Sequence, residues 1–218
     1  MRAQSDTEVV SFQDWTVRVH PATQTAARLL LLVHGWTGDE NSMWVFVHNF
    51  PPSYWIIAPR APHGTQPGGY SWRPPRAGVH DRPGFDDLRP AVGALIPFVD
   101  AYATANHLDA SEFDAMGFSQ GAALVSAMAL LYPERIGRLG VLAGFVPAGA
   151  EPLAETHPLK GKDVFVAHGT LDELVKIEFA RRSVQLLQQA GASVTYCEDD
   201  VGHKLSLKCL RALQAFFA

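Results

Sequence analysis

Apolar residues along the chain fall into short runs separated by longer stretches in which they recur every three or four positions. Residues 15–20 alternate, with Trp15, Val17 and Val19 on one side, the period-2 pattern of an antiparallel or edge strand. Residues 28–34 differ, because Leu29, Leu30, Leu31, Leu32 and Val33 leave no polar face, as expected of a strand covered on both sides. Residues 54–58 form a second such run, stopped by Pro59. Further strands are predicted at 113–118, 139–143, 164–167 and 194–197. Helical spacing predicts helices over 87–106, 120–132, 174–190 and 205–217. The first carries Leu88, Val92, Leu95, Ile96 and Val99 on one face. Pro90 suits its first turn, whereas Pro97 predicts a kink or break. Gly191 stops the third. Strands alternating with helices predict an α/β chain, a mostly parallel sheet with helices on both faces, in a single domain over 1–218.

Residues 59–84 interrupt this alternation. They are crowded with Pro and Gly and hold Tyr70 and Trp72 among several arginines, with Phe85 just beyond. A long loop in a compact domain is functional or disordered, and these aromatics argue against disorder.

Composition narrows the function classes. The chain is 47% hydrophobic and 18% charged, with net charge -4, a pI near 6.1 and mean hydropathy near zero. It lacks the basic footprint that a phosphate backbone needs, so no nucleic-acid partner is expected. The first eight residues are polar and lack the apolar centre of a signal peptide. No apolar run approaches the roughly 20 residues that cross a bilayer, so no integral membrane association is expected. Cys197 and Cys209 do not form a CxxC and are expected to be buried or free thiols in a cytoplasmic protein.

The candidate chemistry lies where predicted strands end. Gly117-Phe118-Ser119-Gln120-Gly121 is a Gly-x-Ser-x-Gly motif between a predicted strand and a small-residue helix. That context suits the sharp turn that lifts a nucleophilic serine above the sheet edge of an α/β-hydrolase. His34-Gly35-Trp36-Thr37-Gly38 follows the Leu-rich run and can aim a backbone N–H at a substrate carbonyl oxygen. Trp36 is the expected donor, with Gly35 or Thr37 as alternatives, and the N–H of Gln120 is the second donor. His168-Gly169-Thr170-Leu171-Asp172 follows another strand and offers Asp172 as the acid. Asp172 could also cap the helix that follows, which does not exclude the acid role; Glu173 is the nearest competitor for that role, and Asp199 or Asp200 a weaker one. The base comes last in chain order in this fold, and only His203 lies downstream of Asp172. No His-x-His, His-Glu-x-x-His or Cys/His cluster occurs, so no metal is expected. His34 and His168 read as supporting side chains beneath the loops.

These four segments, in this order and spacing, resemble the phospholipase/carboxylesterase family, the small hydrolases that include acyl-protein thioesterases. Gly-Phe-Ser-Gln-Gly carries most of the likeness. The resemblance implies an α/β-hydrolase fold without a separate cap domain, acting on carboxylic esters or thioesters without a cofactor. It also supports Trp36 and Gln120 as oxyanion donors. Two features depart from the family pattern. Trp36 stands where leucine is more usual, and the segment 67–76 differs from the thioesterase loop, which weighs against lipidated-protein substrates. The expectation is a carboxylesterase-type serine hydrolase forming an acyl-enzyme on Ser119, with Asp172 and His203 completing a triad. Trp36, Trp72 and Leu174 are expected to wall a pocket for short to medium acyl or aromatic esters. The alternatives are a thioesterase or lactonase using the same triad, or a non-catalytic binding protein. A small-molecule ester is the expected partner, and a homodimer is compatible with the sequence.

Overall fold

Eight strands build one sheet in the order β1-β2-β4-β3-β7-β8-β9-β10. They span Glu8–Phe12 (β1), Trp15–His20 (β2), Arg28–Val33 (β3), Tyr54–Pro59 (β4), Phe113–Phe118 (β7), Ile136–Leu142 (β8), Asp163–Gly169 (β9) and Ser193–Asp199 (β10). The short strands β5 (His63–Gly64) and β6 (Tyr70–Ser71) pair with each other. The helices are α1 (Phe85–Ala105), α2 (Gln120–Leu131), α3 (Glu151–Ala154), α4 (Ile177–Gln189) and α5 (Leu207–Phe216). This computed structural model describes residues 7–24, 26–66, 68–75 and 82–218.

β4, β3, β7, β8, β9 and β10 run parallel, and β2 runs against its neighbours β1 and β4. Parallel strands place all their carboxyl ends at one edge, where sites in open α/β sheets collect. β3 shows why the order of residues demands this burial. Leu29, Leu31 and Val33 pack in the core on one face with α1 and α2, and Leu30 and Leu32 pack in the core on the other with Trp44, Phe46 and α5. All five are 0–1% exposed. Alternate side chains on a strand point to opposite faces, so an uninterrupted apolar run needs cover on both.

Three expectations change. β2 is antiparallel as predicted, but β1 lies outside it, so it is not the sheet edge. The polar-apolar mixture of Glu8–Phe12, largely exposed, hid this strand. Helix α1 is not broken at Pro97. Pro97 and Gly93, whose carbonyl loses its helical donor, both lie on the exposed side, where water can satisfy that carbonyl. The opposite face, with Val92, Leu95, Ile96 and Val99, is held in the core.

The third change is chemical. Cys197 and Cys209 are not free thiols but a disulfide between β10 and α5, with Cα atoms 5.6 Å apart. Both sulfurs sit in the apolar layer beneath β10. Packing of the last helix across the last strand brings them together, which spacing in the chain cannot reveal. Disulfides persist in oxidising compartments and are rare in the cytosol, so the thiol ground for a cytoplasmic location is lost. Among the described residues, no helix is long and apolar enough to cross a membrane.

The bond closes a loop between residues 12 apart in sequence, and by the loop-entropy relation this is worth about 3 kcal/mol. The double variant Cys197→Ser/Cys209→Ser is expected to melt roughly 6–12 °C lower than the wild type by calorimetry. Equal melting temperatures under non-reducing conditions would show that the bond adds no stability.

Candidate active site

Ser119 sits between β7 and α2 at φ 54°, ψ -115°. A non-glycine residue at positive φ is strained, and close packing of bare backbone enforces it here. A Cβ on Gly117 would lie 2.2 Å from the Gly121 carbonyl oxygen, and one on Gly121 would lie 2.1 Å from the Val33 carbonyl oxygen. The Ser119 N–H donates to the Leu142 carbonyl at 2.9 Å, tying the turn to β8. The two glycines of the motif are thus a steric requirement, and the serine is forced upward at the carboxyl edge.

Gly35 abuts this turn, since a Cβ there would lie 3.2 Å from the Ser119 Cβ. The Gly35 carbonyl accepts from His34 Nδ1 at 2.7 Å and from the Gly38 N–H at 3.0 Å. A planar trans peptide points its N–H opposite to its carbonyl, so the Trp36 N–H is turned away from His34. Gln120 is the first residue of α2, where backbone N–H groups have no acceptor within the helix. The loop is braced beneath by Glu40, buried and bonded to Arg60 at 2.7 and 2.8 Å, with the guanidinium over the Tyr70 ring.

Asp172 divides its carboxylate. Oδ1 accepts from the Leu174 and Val175 N–H groups, both at 2.9 Å. Oδ2 accepts from His203 Nδ1 at 2.7 Å. Capping and pairing were compatible expectations, but only pairing is met: Oδ1 holds the turn that precedes α4, and the cap position of that helix is Lys176. The rival acids are elsewhere: Glu173 is exposed, Asp200 accepts from the Thr170 hydroxyl at 2.6 Å, and Asp199 bonds the Asp200 N–H. The acid and base loops are zipped together, Thr170 N–H to Asp199 O at 2.9 Å and Leu171 N–H to Val201 O at 3.1 Å. A Cβ on Gly169 would meet the Val201 oxygen at 2.1 Å. His203 packs edge-on against Phe118, the residue before Ser119, with ring centroids 4.9 Å apart.

The substrate residues fare unevenly. Trp36 and Leu174 are 46% and 71% exposed beside these loops, and Leu171, which the sequence reading passed over, is 63% exposed. Its place inside the acid motif was the available signal. Trp72 is a correction. It is 2% exposed, its indole N–H donates to the His34 carbonyl at 2.8 Å, and its ring lies 5.1 Å from the His34 ring. A buried ring supporting the loop from below presents no wall to a substrate. Among the described residues, no group of three or more His, Cys, Asp or Glu side chains is arranged to hold a metal ion.

A profile of the phospholipase/carboxylesterase family matches residues 16–218. The chain belongs to that family. It is 33% identical over 102 residues to a probable carboxylesterase of Arabidopsis thaliana, SOBER1-like, a match covering 46% of this chain and 39% of that protein. The chain thus spans less than half the length of that relative. Acyl-protein thioesterase 1 of Kluyveromyces lactis is 28% identical over 182 residues, covering 75% of this chain and 77% of the other. A solved carboxylesterase from Mesorhizobium loti superposes with a TM-score of 0.82 at 21% identity, over 97% of this chain and 98% of that one. That last likeness shows a shared α/β-hydrolase fold.

Within this family frame, the two further histidines are neutral scaffolding. His34 donates from Nδ1 and accepts the Ala61 N–H at Nε2, 3.0 Å away. His168 donates from Nε2 to the Val175 carbonyl at 2.6 Å, with Asp172 Oδ2 at 3.4 Å. Its buried Nδ1 has no partner among the described residues. Burial lowers the pKa of both rings below the ordinary histidine value. Protonation would set His34 Nε2–H against the Ala61 donor and leave an unmet N–H on His168.

The sign for stability follows from the depressed values. The unfolded chain takes up these protons first, so the contribution is fully present above about pH 6.5 and is lost as pH falls below it. The unfolding free energy is expected to fall between pH 7.5 and 5.5, by up to about 1.4 kcal/mol per pH unit for each histidine, and the melting temperature with it. Glu40 and Asp39, whose pKa values are lowered by hydrogen bonds from Arg60 and Asn41, act only at more acidic pH. A melting temperature flat from pH 7.5 to 5.5 would contradict the buried neutral assignment.

Proposed function

We propose that the chain is a carboxylesterase-type serine hydrolase that forms an acyl-enzyme on Ser119. The observation that carries this reading is the His203–Asp172 bond at the sheet edge where the strained Ser119 turn opens. The carboxylate holds the proton on His203 Nδ1, leaving the Nε2 lone pair as the base. His203 takes the Ser119 proton as Oγ attacks the ester carbonyl. The N–H groups of Trp36 and Gln120 receive the charge that develops on the carbonyl oxygen, each worth about 3–4 kcal/mol to the transition state. His203 then protonates the leaving alcohol, and water attacks the acyl-enzyme with the same base. No cofactor enters these steps.

Leu171 and Leu174 on the acid loop and Trp36 on the loop after β3 are exposed apolar side chains, which favours small esters with short to medium acyl or aromatic groups. A thioester substrate is the second reading, favoured by the likeness to the yeast acyl-protein thioesterase. The same triad serves both bonds. The Cys197–Cys209 bond favours an oxidising compartment over the reducing cytosol.

Hydrolysis of p-nitrophenyl esters and matched thioesters, from acetyl to long acyl chains, tests the reading. Ser119→Ala is expected to lower kcat by roughly 10⁴-fold or more, the scale of losing a triad member. A wild type inert to every ester and thioester, or a Ser119→Ala variant with wild-type rate, would sink it. The chain-length profile and the ester-to-thioester ratio of the wild type choose between the two readings.

A further inference from the structure

Two oxyanion donors stabilise charge only when their spacing is held, because preorganised groups act without reorganising during the reaction. Here the proposed donors lie on separate segments, Trp36 after β3 and Gln120 at the start of α2. The short stretch Tyr70–Ser71–Trp72 touches both. The Tyr70 carbonyl accepts the Thr37 N–H at 3.0 Å, and the Tyr70 N–H donates to the Gly38 carbonyl at 2.9 Å. Gly69, at φ +80°, lets this strand come so near that a Cβ would lie 2.0 Å from the Thr37 oxygen. One residue on, the same stretch turns to the nucleophile side. The Gln120 side-chain Oε1 accepts the Trp72 N–H at 3.0 Å, and its Nε2 donates to Ser71 Oγ at 3.1 Å. A backbone N–H can only donate, so the orientation of the Gln120 amide is determined. Ser71 Oγ also accepts the Arg73 N–H at 3.3 Å. Gln120 and Ser71 are 7% and 1% exposed, so these bonds are shielded from competing water.

We propose that the Gln120 side chain is a positioning group. Through Ser71 and Trp72 it locks the nucleophile turn to the Gly35–Gly38 loop and thereby sets the spacing of the two oxyanion donors. This rests on the assignment of the Trp36 and Gln120 N–H groups as those donors. The residue after the serine then has two roles. Its backbone would bind the oxyanion, and its side chain would hold the other donor in place. A residue that merely filled a buried polar slot would affect stability, with no preference for the transition state.

The test uses Gln120→Met, which keeps length and the backbone N–H but removes both amide functions. Gln120→Glu keeps the acceptor for the Trp72 N–H, and Ser71→Ala removes the bridging hydroxyl. Rates on a p-nitrophenyl ester are read beside inhibition by a trifluoromethyl ketone, which adds Ser119 to give a hemiketal oxyanion. Melting temperatures are recorded and all assays run well below them. Gln120→Met is expected to lose roughly 10- to 100-fold in kcat, the scale of misplacing a reacting group by about 1 Å. KM should stay near wild type, and affinity for the ketone should fall by the same factor as kcat. Ser71→Ala should show a smaller matched loss, and Gln120→Glu should recover part of the rate. Wild-type kcat and ketone affinity in Gln120→Met would overturn the proposal. So would a loss of kcat with unchanged ketone affinity, or an equal loss in Gln120→Glu. A wild type that neither reacts with a fluorophosphonate serine probe nor binds the ketone overturns the Ser119 reading, and this inference falls with it. Labelling of the wild type but not of Ser119→Ala preserves that reading whatever the Gln120 variants do.

Discussion

Bare backbone packed on bare backbone at the carboxyl edge of β3 and β7 is the constraint on which the rest depends. Gly121 lies against the Val33 carbonyl and Gly117 against the Gly121 carbonyl, with no room for a Cβ at either contact. That closeness lets α2 start directly over the end of the sheet, holds Ser119 at positive φ, and brings Gly35 against the same serine. The strain of order 1–3 kcal/mol for such a residue is carried by a setting that is almost wholly apolar. From Gly121 to Leu130 every residue of α2 is buried, and β7 is buried from Phe113 to Gly117. A local conformation that is unfavourable alone persists because so much packing agrees with it.

Around that point, polar groups divide their hydrogen-bonding atoms among separate partners. Asp172 gives one oxygen to its own turn and the other to His203. Holding the carboxylate on two backbone N–H groups leaves it little freedom to follow the imidazole, so the ring takes its orientation from the acid. His34 and His168 are buried and neutral, and each fixes a carbonyl rather than a proton in transit. The three histidines of the site therefore differ by environment: only His203 is partly open to solvent, with an 18% exposed side chain.

Much of this was legible along the chain. Among the described residues, seven of the ten strands and four of the five α-helices fall near predicted positions, because uninterrupted apolar runs and helical spacing reflect burial directly. Ser119, Asp172 and His203 were selected by motif, order and position after strands, and the structure brings the last two into contact. Strand β1 escaped because its residues are half solvated, and the β5–β6 pair escaped because two-residue strands have no periodicity. Trp72 was misplaced for a related reason. An aromatic in a Pro- and Gly-rich stretch looks like a ligand contact, yet the stretch folds inward and uses the ring as a brace.

What the sequence by itself determined was which segments must be buried, where the chain must turn sharply, and which side chains stand at strand ends. These are local properties, set by apolar periodicity and by the steric needs of glycine and serine. Tertiary structure alone decided which of those ends meet. It joined Cys197 to Cys209, gave the two oxygens of Asp172 different partners, and laid Tyr70–Trp72 across the loop of Trp36 and the side chain of Gln120. Such contacts join residues distant in sequence through distances of about 3 Å, and pairings of that kind leave no periodic trace in the chain. They exist only once the sheet has set the order of its strands.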